Sequence, residues 1–402
     1  MAELYTNSRL RVLRQCPRLH MFRYELGIQT PPTPESTFGT VGHAALEAYY
    51  RTWQDVCETC DGSGERPFAD TCDGSAPSCG HCGGIGESAS LDDRLPAALS
   101  VVASSPLLPF DRVKLQLLII AYHERWGGED REILAVEQEF RYQLGEHLIG
   151  GKIDAIIRNR KDGRVYVLEH KFTGSETSLG GAYWERLTLD SQVSIYIDGA
   201  TMLGYDIAGC VYDVIKRPQH DQLQATPAES QKYTLGKGCR KCGGSGGGKA
   251  GIVKGRGYYT VSMVTVEEIE CPDCKGTGWK CDAEGNPQEP RLHANQRAED
   301  ETLEQFEERL LDVIAEAPDS WLQRSIVVRL EDELPEMRRD VVADVERAEE
   351  CRRKDYWPRN SDSCAKFGRM CEFFGPCSGR ESIDDHLRFP RGPAHPELAS
   401  AL

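Results

Sequence analysis

No stretch of this 402-residue sequence approaches the roughly 20 uninterrupted apolar residues that a membrane-crossing helix needs. Nor does the opening segment, MAELYTNSRLRVLRQC, contain the apolar core of a secretory leader. Both absences point to a cytoplasmic protein with no membrane partner. Positive charge is scarce as well: 48 Lys and Arg stand against 64 Asp and Glu, a net charge of -16. That balance argues against an extensive phosphate-binding surface, although the local field in a groove decides, not the total. Arg9, Arg11, Arg14, Arg18 and Arg23 gather in the first helical stretch, and CRRKDYWPR adds basic residues near the other end. Taken alone, these are solvated helix faces. A functional phosphate loop is also lacking. GGSGGGKA, from Gly243, nearly spells one but ends in Ala250 where a hydroxyl must hold Mg²⁺, and no apolar strand leads into it, so nucleotide binding there is rejected.

What the sequence has in abundance is cysteine, 16 in all. In a reducing compartment these are better explained as metal ligands than as disulfides. Four segments repeat the pattern C-x-x-C-x-G-x-G, starting at Cys57, Cys79, Cys239 and Cys271. Two cysteines at this spacing chelate one ion from a tight turn, and two such knuckles complete a Cys₄ site. The simplest pairing gives one zinc to Cys57, Cys60, Cys79 and Cys82 and a second to Cys239, Cys242, Cys271 and Cys274. The repeats resemble the cysteine-rich region of DnaJ-type chaperones, where nonadjacent repeats share an ion, so a crossed pairing stays open. Cys72, Cys210, Cys281 and Cys351 fall outside these patterns and read as small buried or unpaired side chains.

With the knuckles set aside, the remainder reads as one α/β domain. SRLRVLRQCPRLHMFRYEL, TVGHAALEAYYRTW and residues 110–126 have helical periodicity. REILAVEQEFRYQL, GGKIDAIIRNR and RVYVLEHKF are strands. LDSQVSIYIDGATML returns to helix and AGCVYDVIK to strand. From ETLEQFEERLLDVI onward the chain is mostly helical, with a short apolar run at RSIVVRL. A two-residue Asp162-Gly163 turn between the second and third strands would set residue 154 opposite residue 171. Asp154, Glu169 and Lys171 would then share one face of the sheet. Two carboxylates converging with a lysine suit metal-assisted phosphodiester hydrolysis, whereas the plainer reading is a cross-strand salt bridge.

Here the sequence resembles the PD-(D/E)XK nuclease superfamily, in particular its RecB-like branch, which includes AddB-like and CRISPR-adaptation exonuclease-like proteins. The matching residues occur in the right order along nearly all of the chain outside the knuckles. GTVGHAALE is similar to a G-x-x-x-H helix, GGKIDAI and VLEHK to the two catalytic strands, and QVSIY to Q-x-x-x-Y. The resemblance implies a restriction-endonuclease-like core, a central mixed sheet flanked by helices, carrying two small zinc-binding insertions. It implies catalytic roles for His43, Asp154, Glu169, Lys171, Gln192 and Tyr196, with Mg²⁺ or Mn²⁺ held by His43, Asp154, Glu169 and the His170 carbonyl. It further implies a [4Fe–4S] cluster on Cys16, Cys364, Cys371 and Cys377. The late cysteines run C-x6-C-x5-C, wider at the first step than is usual in the branch, which leaves Cys351 as the substitute for Cys364 and zinc as the other metal.

The expected organisation is a nuclease core over 1–54 and 91–234, insertions at 55–90 and 235–290, and a helical C-terminal part over 291–402 with the iron–sulfur cysteines. The expected function is a metal-dependent DNA exonuclease, acting on ends or single strands in recombination, repair or phage DNA processing, with a helicase or recombination protein as partner. A non-catalytic DNA- or protein-binding scaffold built around the knuckles is the alternative.

Overall fold

The computed structural model describes residues 3–54, 91–234, 236–242, 247–249, 268–366, 368–393, 395 and 398. The first knuckle segment, with Cys57, Cys60, Cys79 and Cys82, lies outside them. The chain divides into two units, Met1–His220 with Glu307–Leu402, and Asp221–Phe306. No helix among the described residues is long and apolar enough to cross a membrane.

The larger unit is built on a six-stranded mixed sheet. Its strands are β1 (Leu4–Thr6), β2 (Arg131–Leu144), β3 (His147–Asn159), β4 (Val165–Thr173), β5 (Ile207–Lys216) and β6 (Leu322–Val327). Strand β3 pairs along its length with antiparallel β2 on one edge. Its other edge is shared, with parallel β1 at Leu148–Gly150 and antiparallel β4 at Ala155–Arg158. Between those two partners, residues 151–154 have no strand on that side among the described residues, and this gap is where the site forms. Strand β4 continues past the gap, paired to parallel β5, which in turn pairs with antiparallel β6.

Helices α1 (Asn7–Gln15), α2 (Pro34–Gln54), α3 (Leu91–Ala103), α4 (Pro109–Trp126), α5 (Ser191–Met202), α6 (Leu303–Glu316) and α7 (Glu333–Arg353) complete the main elements. Leu10 and Leu13 of α1, Val193 and Ile197 of α5, and Met337, Val341 and Val345 of α7 bury one stripe each against Ile156, Val167, Tyr212 and Val214 of the sheet. This spacing of three and four residues is what an amphipathic helix needs to turn one face to a core. On α2 and α4, Tyr49, Tyr50 and Tyr122 are buried, and the Tyr50 and Tyr122 hydroxyls lie 2.7 Å apart.

Two local expectations are corrected. The opening helix is not continuous: Cys16 is extended (φ -165°, ψ 115°) because Pro17 follows it, and a residue before proline is pushed out of helical geometry. The β3–β4 turn has a longer loop than two residues. Asn159 N–H donates to Arg164 O at 3.0 Å, and Gly163, at φ +72°, donates to Asn159 O at 2.8 Å. Ala155 therefore pairs with Leu168, and residue 154 falls opposite 169 rather than 171. The register moves by two, an even number, so side-chain alternation along β4 is unchanged.

The N-terminal arginines are mostly not a free basic face. Arg9 is buried and paired with Glu3 and Glu25, Arg14 with Asp344, and Arg23 with Glu372, while Arg18 donates to Trp357 O at 2.9 Å. Arg352 of α7 also pairs with Glu25, so these charges fasten the N-terminal segment to the C-terminal one.

The smaller unit has an antiparallel ribbon of Gly247–Lys249 with Glu268–Glu270 and a core of four buried cysteines. Cys239 N–H donates to Gly278 O at 2.8 Å, tying one knuckle to the other.

Candidate active site

The close approach of α2 to β4 is what delivers His43. A side chain at Gly42 would meet the Phe172 ring at 2.4 Å, so the glycine beside His43 lets the helix lie directly on the strand. His43 Nδ1 then stands 3.4 Å from Asp154 Oδ2. Burial alone would push the imidazole down, but Asp154 beside it outweighs that and raises its pKa.

Asp154 stands at the end of the β3–β4 pairing. The His170 N–H, left without a β3 carbonyl there, donates to Asp154 Oδ2 at 2.8 Å, and His170 Nδ1 is 3.2 Å from the same oxygen. Burial acts to raise the Asp154 pKa, yet His43 and His170 together hold it well below the usual carboxylate range. Asp154 is therefore an anion with Oδ2 occupied.

Glu169 is arranged the same way. Its Oε1 accepts from Lys171 Nζ at 2.7 Å and from Gln192 Nε2 at 2.7 Å. Its Oε2 is buried with no hydrogen-bond partner among the described residues. Burial pushes the carboxyl up and Lys171 pulls it back, leaving the pKa at about 7. An unpartnered buried carboxylate oxygen is costly unless a cation or proton meets it.

Tyr196, one turn after Gln192 on α5, lies edge-on to Phe140 with ring centroids 5.9 Å apart. Burial and the nearby Glu169 and Asp154 charges hold its hydroxyl well above the ordinary tyrosine pKa, so it is a neutral donor. His43, Asp154, Glu169, Lys171, Gln192 and Tyr196 all line one cleft of ≈ 440 Å³. His170 contributes through its backbone and turns its ring to the other side of β4, between Tyr50 and Tyr122.

Residues absent from the sequence reading also line this cleft. Glu137 of β2, at φ +50°, pairs with Lys152, and burial raises its carboxyl pKa. Glu47 lies one turn after His43 on α2. No motif spacing marks Glu137, because its place depends on the irregular pairing of β2 with β3 between Ile133 and Ala135. The i, i+4 spacing of His43 and Glu47 was a usable signal.

The structure also brings together two cysteine groups. Cys239, Cys242, Cys271 and Cys274 have ligand atoms all within 4.8 Å of one another. Their Cys239–Cys271 and Cys242–Cys274 sulfurs are 3.9 and 3.7 Å apart. A tetrahedron with metal–sulfur bonds of about 2.3 Å has edges of about 3.8 Å, so the donor set fits a Cys₄ ion and pairs the two knuckles adjacent in sequence. Cys16, Cys364, Cys371 and Cys377 line a separate apolar cavity with Leu19, Phe22 and Phe373. Cys351, on α7, instead packs into the main core.

No curated protein matches this chain. A family model described as the PD-(D/E)XK nuclease superfamily matches residues 5–377, nearly the whole chain, and the protein belongs to that superfamily.

Proposed function

We propose that the protein is a divalent-cation-dependent deoxyribonuclease of the RecB-like branch, working as an exonuclease on DNA ends or single strands. The superfamily implies metal-dependent nuclease activity. The observation that carries the assignment to this cleft is the Glu169 carboxylate, with Oε1 held by two donors and Oε2 buried and unmet.

His43, Asp154, Glu169 and the His170 carbonyl would hold Mg²⁺ or Mn²⁺, hard cations suited to oxygen donors. When bound, such a cation activates water for attack and offsets charge on the phosphate. The chain supplies the rest. Lys171 sets a positive charge beside Glu169, where it orients the attacking water and stabilises the developing charge on phosphorus-bound oxygens. Gln192 fixes the rotamer of Glu169, and the neutral Tyr196 hydroxyl donates toward the bound strand.

The Cys239 tetrad is read as a zinc site and, by sequence analogy, the segment from Cys57 as a second. No three of the Cys16, Cys364, Cys371 and Cys377 sulfurs all lie within 4.8 Å of one another. Zinc needs closer thiolates, while a cubane takes one thiolate at each iron corner, which favours [4Fe–4S] there. The knuckles then serve DNA or a recombination or helicase partner, outside the cleft's chemistry.

The test is degradation of labelled linear and circular DNA with Mg²⁺ or Mn²⁺ by the parent and by Asp154→Ala and Lys171→Ala variants. Loss of product in both variants is expected. Equal products from parent and variants would reject the cleft as the catalytic centre. Degradation of circular DNA at the linear rate would reject the exonuclease reading.

A further inference from the structure

Behind the cleft lies a buried polar assembly that the hydrolytic chemistry does not use. The His170 ring is 2% exposed, and its Nε2 is 3.2 Å from the Tyr122 hydroxyl. That hydroxyl donates to Asp213 Oδ2 at 2.7 Å. Asp213, fully buried, is gripped by both Arg324 Nε and Arg324 Nη2. Arg324 Nη1 reaches Glu129 at 2.5 Å, and the guanidinium lies 4.0 Å from the Trp126 ring centroid. Tyr122 and Trp126 come from α4, His170 from β4, Asp213 from β5 and Arg324 from β6, with Glu129 from the loop after α4. Burying this many charged and polar groups is expensive, and each lies against a polar neighbour; the Tyr122 hydroxyl, whose one proton goes to Asp213, can only accept from His170 Nε2.

The assembly touches the cleft at one atom, Nδ1 of His170. An ionised carboxylate can only accept, so Nδ1 carries the proton in its 3.2 Å contact with Asp154 Oδ2. The His170 N–H and His43 fall on that oxygen too. Among the described residues, every hydrogen bond and ion pair of the Asp154 carboxylate thus lands on Oδ2, which leaves Oδ1 for a ligand. A ring free to turn would not hold this arrangement, but Tyr50 and Tyr122 flank it at 5.4 and 5.9 Å between centroids.

We infer that His170 is a positioning residue: its imidazole, braced by Tyr122 against the Asp213–Arg324 pair, fixes the Asp154 carboxylate so that Oδ1 is presented to the cation. The inference rests on the proposed cation site. It assigns the histidine side chain a task separate from that of its carbonyl, and it makes Tyr122 and Asp213 distant contributors to cation affinity. Groups that orient a ligand in this way typically change affinity by roughly 10–100-fold when removed.

The experiment is Mn²⁺ titration of the full chain without DNA, free Mn²⁺ being read by electron paramagnetic resonance. Asp154→Ala identifies which bound Mn²⁺ belongs to the cleft. His170→Leu is expected to raise the Kd of that ion roughly 10–100-fold. His170→Asn, whose amide N–H can stand in for Nδ1–H, is expected to stay within roughly threefold of the parent, a rescue that a merely structural role would not show. With saturating Mn²⁺, the KM for DNA should be the same in parent and His170→Leu. If Asp154→Ala binds as much Mn²⁺ as the parent, the cation site itself is wrong and the proposed function falls. If Asp154→Ala loses the ion while a folded His170→Leu keeps parental affinity, the inference about His170 alone is overturned. Should His170→Leu fail to fold, Tyr122→Phe decides: a Kd raised roughly 3–10-fold supports the brace, and an unchanged Kd overturns it.

Discussion

Gln192 Nε2 donates to Glu169 Oε1 at 2.7 Å, from the first turn of α5 to the middle of β4. The bond reaches the same oxygen that takes the Lys171 ammonium. Without the amide, the carboxylate is free to rotate about its terminal bond and Lys171 alone decides where it points. A Gln192→Ala variant should therefore raise the Mn²⁺ concentration needed for half-maximal activity by roughly 10–100-fold. Its melting temperature should stay within about 3 °C of the parent, since a half-buried side chain at a helix start is removed. Activity titrated against Mn²⁺, beside a thermal melt, checks both. An unchanged metal requirement would remove Gln192 from the site.

Two glycines four and one residues before His43 separate sequence motif from structural need. A methyl group at Gly39 would find Phe172 Cβ at 3.9 Å, ordinary contact, whereas at Gly42 it would meet the Phe172 ring at 2.4 Å. Gly39→Ala should be neutral or stabilising by up to about 1 kcal/mol, the usual gain for alanine over glycine inside a helix. Gly42→Ala should destabilise by about 1–3 kcal/mol through overpacking and move His43 from Asp154, lowering activity. Urea unfolding and nuclease rates of the pair decide it; equal effects at the two positions would mean that the helix–strand contact does not set the site.

Much of this site was legible because it is carried by local patterns. The strands around Asp154 and Glu169 read from their apolar runs, whereas Gln192 and Tyr196 came from the resemblance of QVSIY to Q-x-x-x-Y. The β3–β4 register was misread by two residues, since loop length depends on Asn159, Asp162 and Gly163 closing a wider turn. The error left the facing of Glu169 and Lys171 intact because alternation has a period of two. Glu137 and the Asp213–Arg324 pair were not legible at all. Their neighbours are set by an irregular strand pairing and by partners 111 residues apart in sequence, and no short-range pattern encodes either.

Cys16, Cys364, Cys371 and Cys377 line one cavity, which supports Cys364 over Cys351 as the fourth ligand of the proposed cluster. Cys371 N–H donates to Cys364 O at 2.7 Å, which holds those two thiols on one turn, while Cys351 is buried among the core side chains of α7. Anaerobically purified parent protein should be brown, with on the order of four irons per chain. Cys364→Ala should lose the colour and most of the iron; Cys351→Ala should keep both. Iron retained by Cys364→Ala and lost by Cys351→Ala would reverse the assignment.

The cost of burying His20 gives a pH dependence of stability that is independent of the cleft. Its ring is fully buried, stacks on Trp357 at 5.2 Å, and accepts from Arg9 Nε at 3.1 Å. Burial and then the Arg9 charge lower its pKa from 6.5 to about 3, and Glu25, 3.8 Å from Nδ1, offsets only part of this. Between these two values the unfolded chain binds the proton and the folded chain does not. Stability from this residue is thus complete above pH 6.5 and falls as pH drops toward 3. At about 1.4 kcal/mol per unit, the loss at pH 5 is about 2 kcal/mol. Urea unfolding at pH 7.5 and pH 5 should show the parent losing about 2 kcal/mol more than a His20→Gln variant, which accepts the Arg9 hydrogen bond but does not titrate. Parallel losses in the two proteins would mean that His20 is protonated in the folded state.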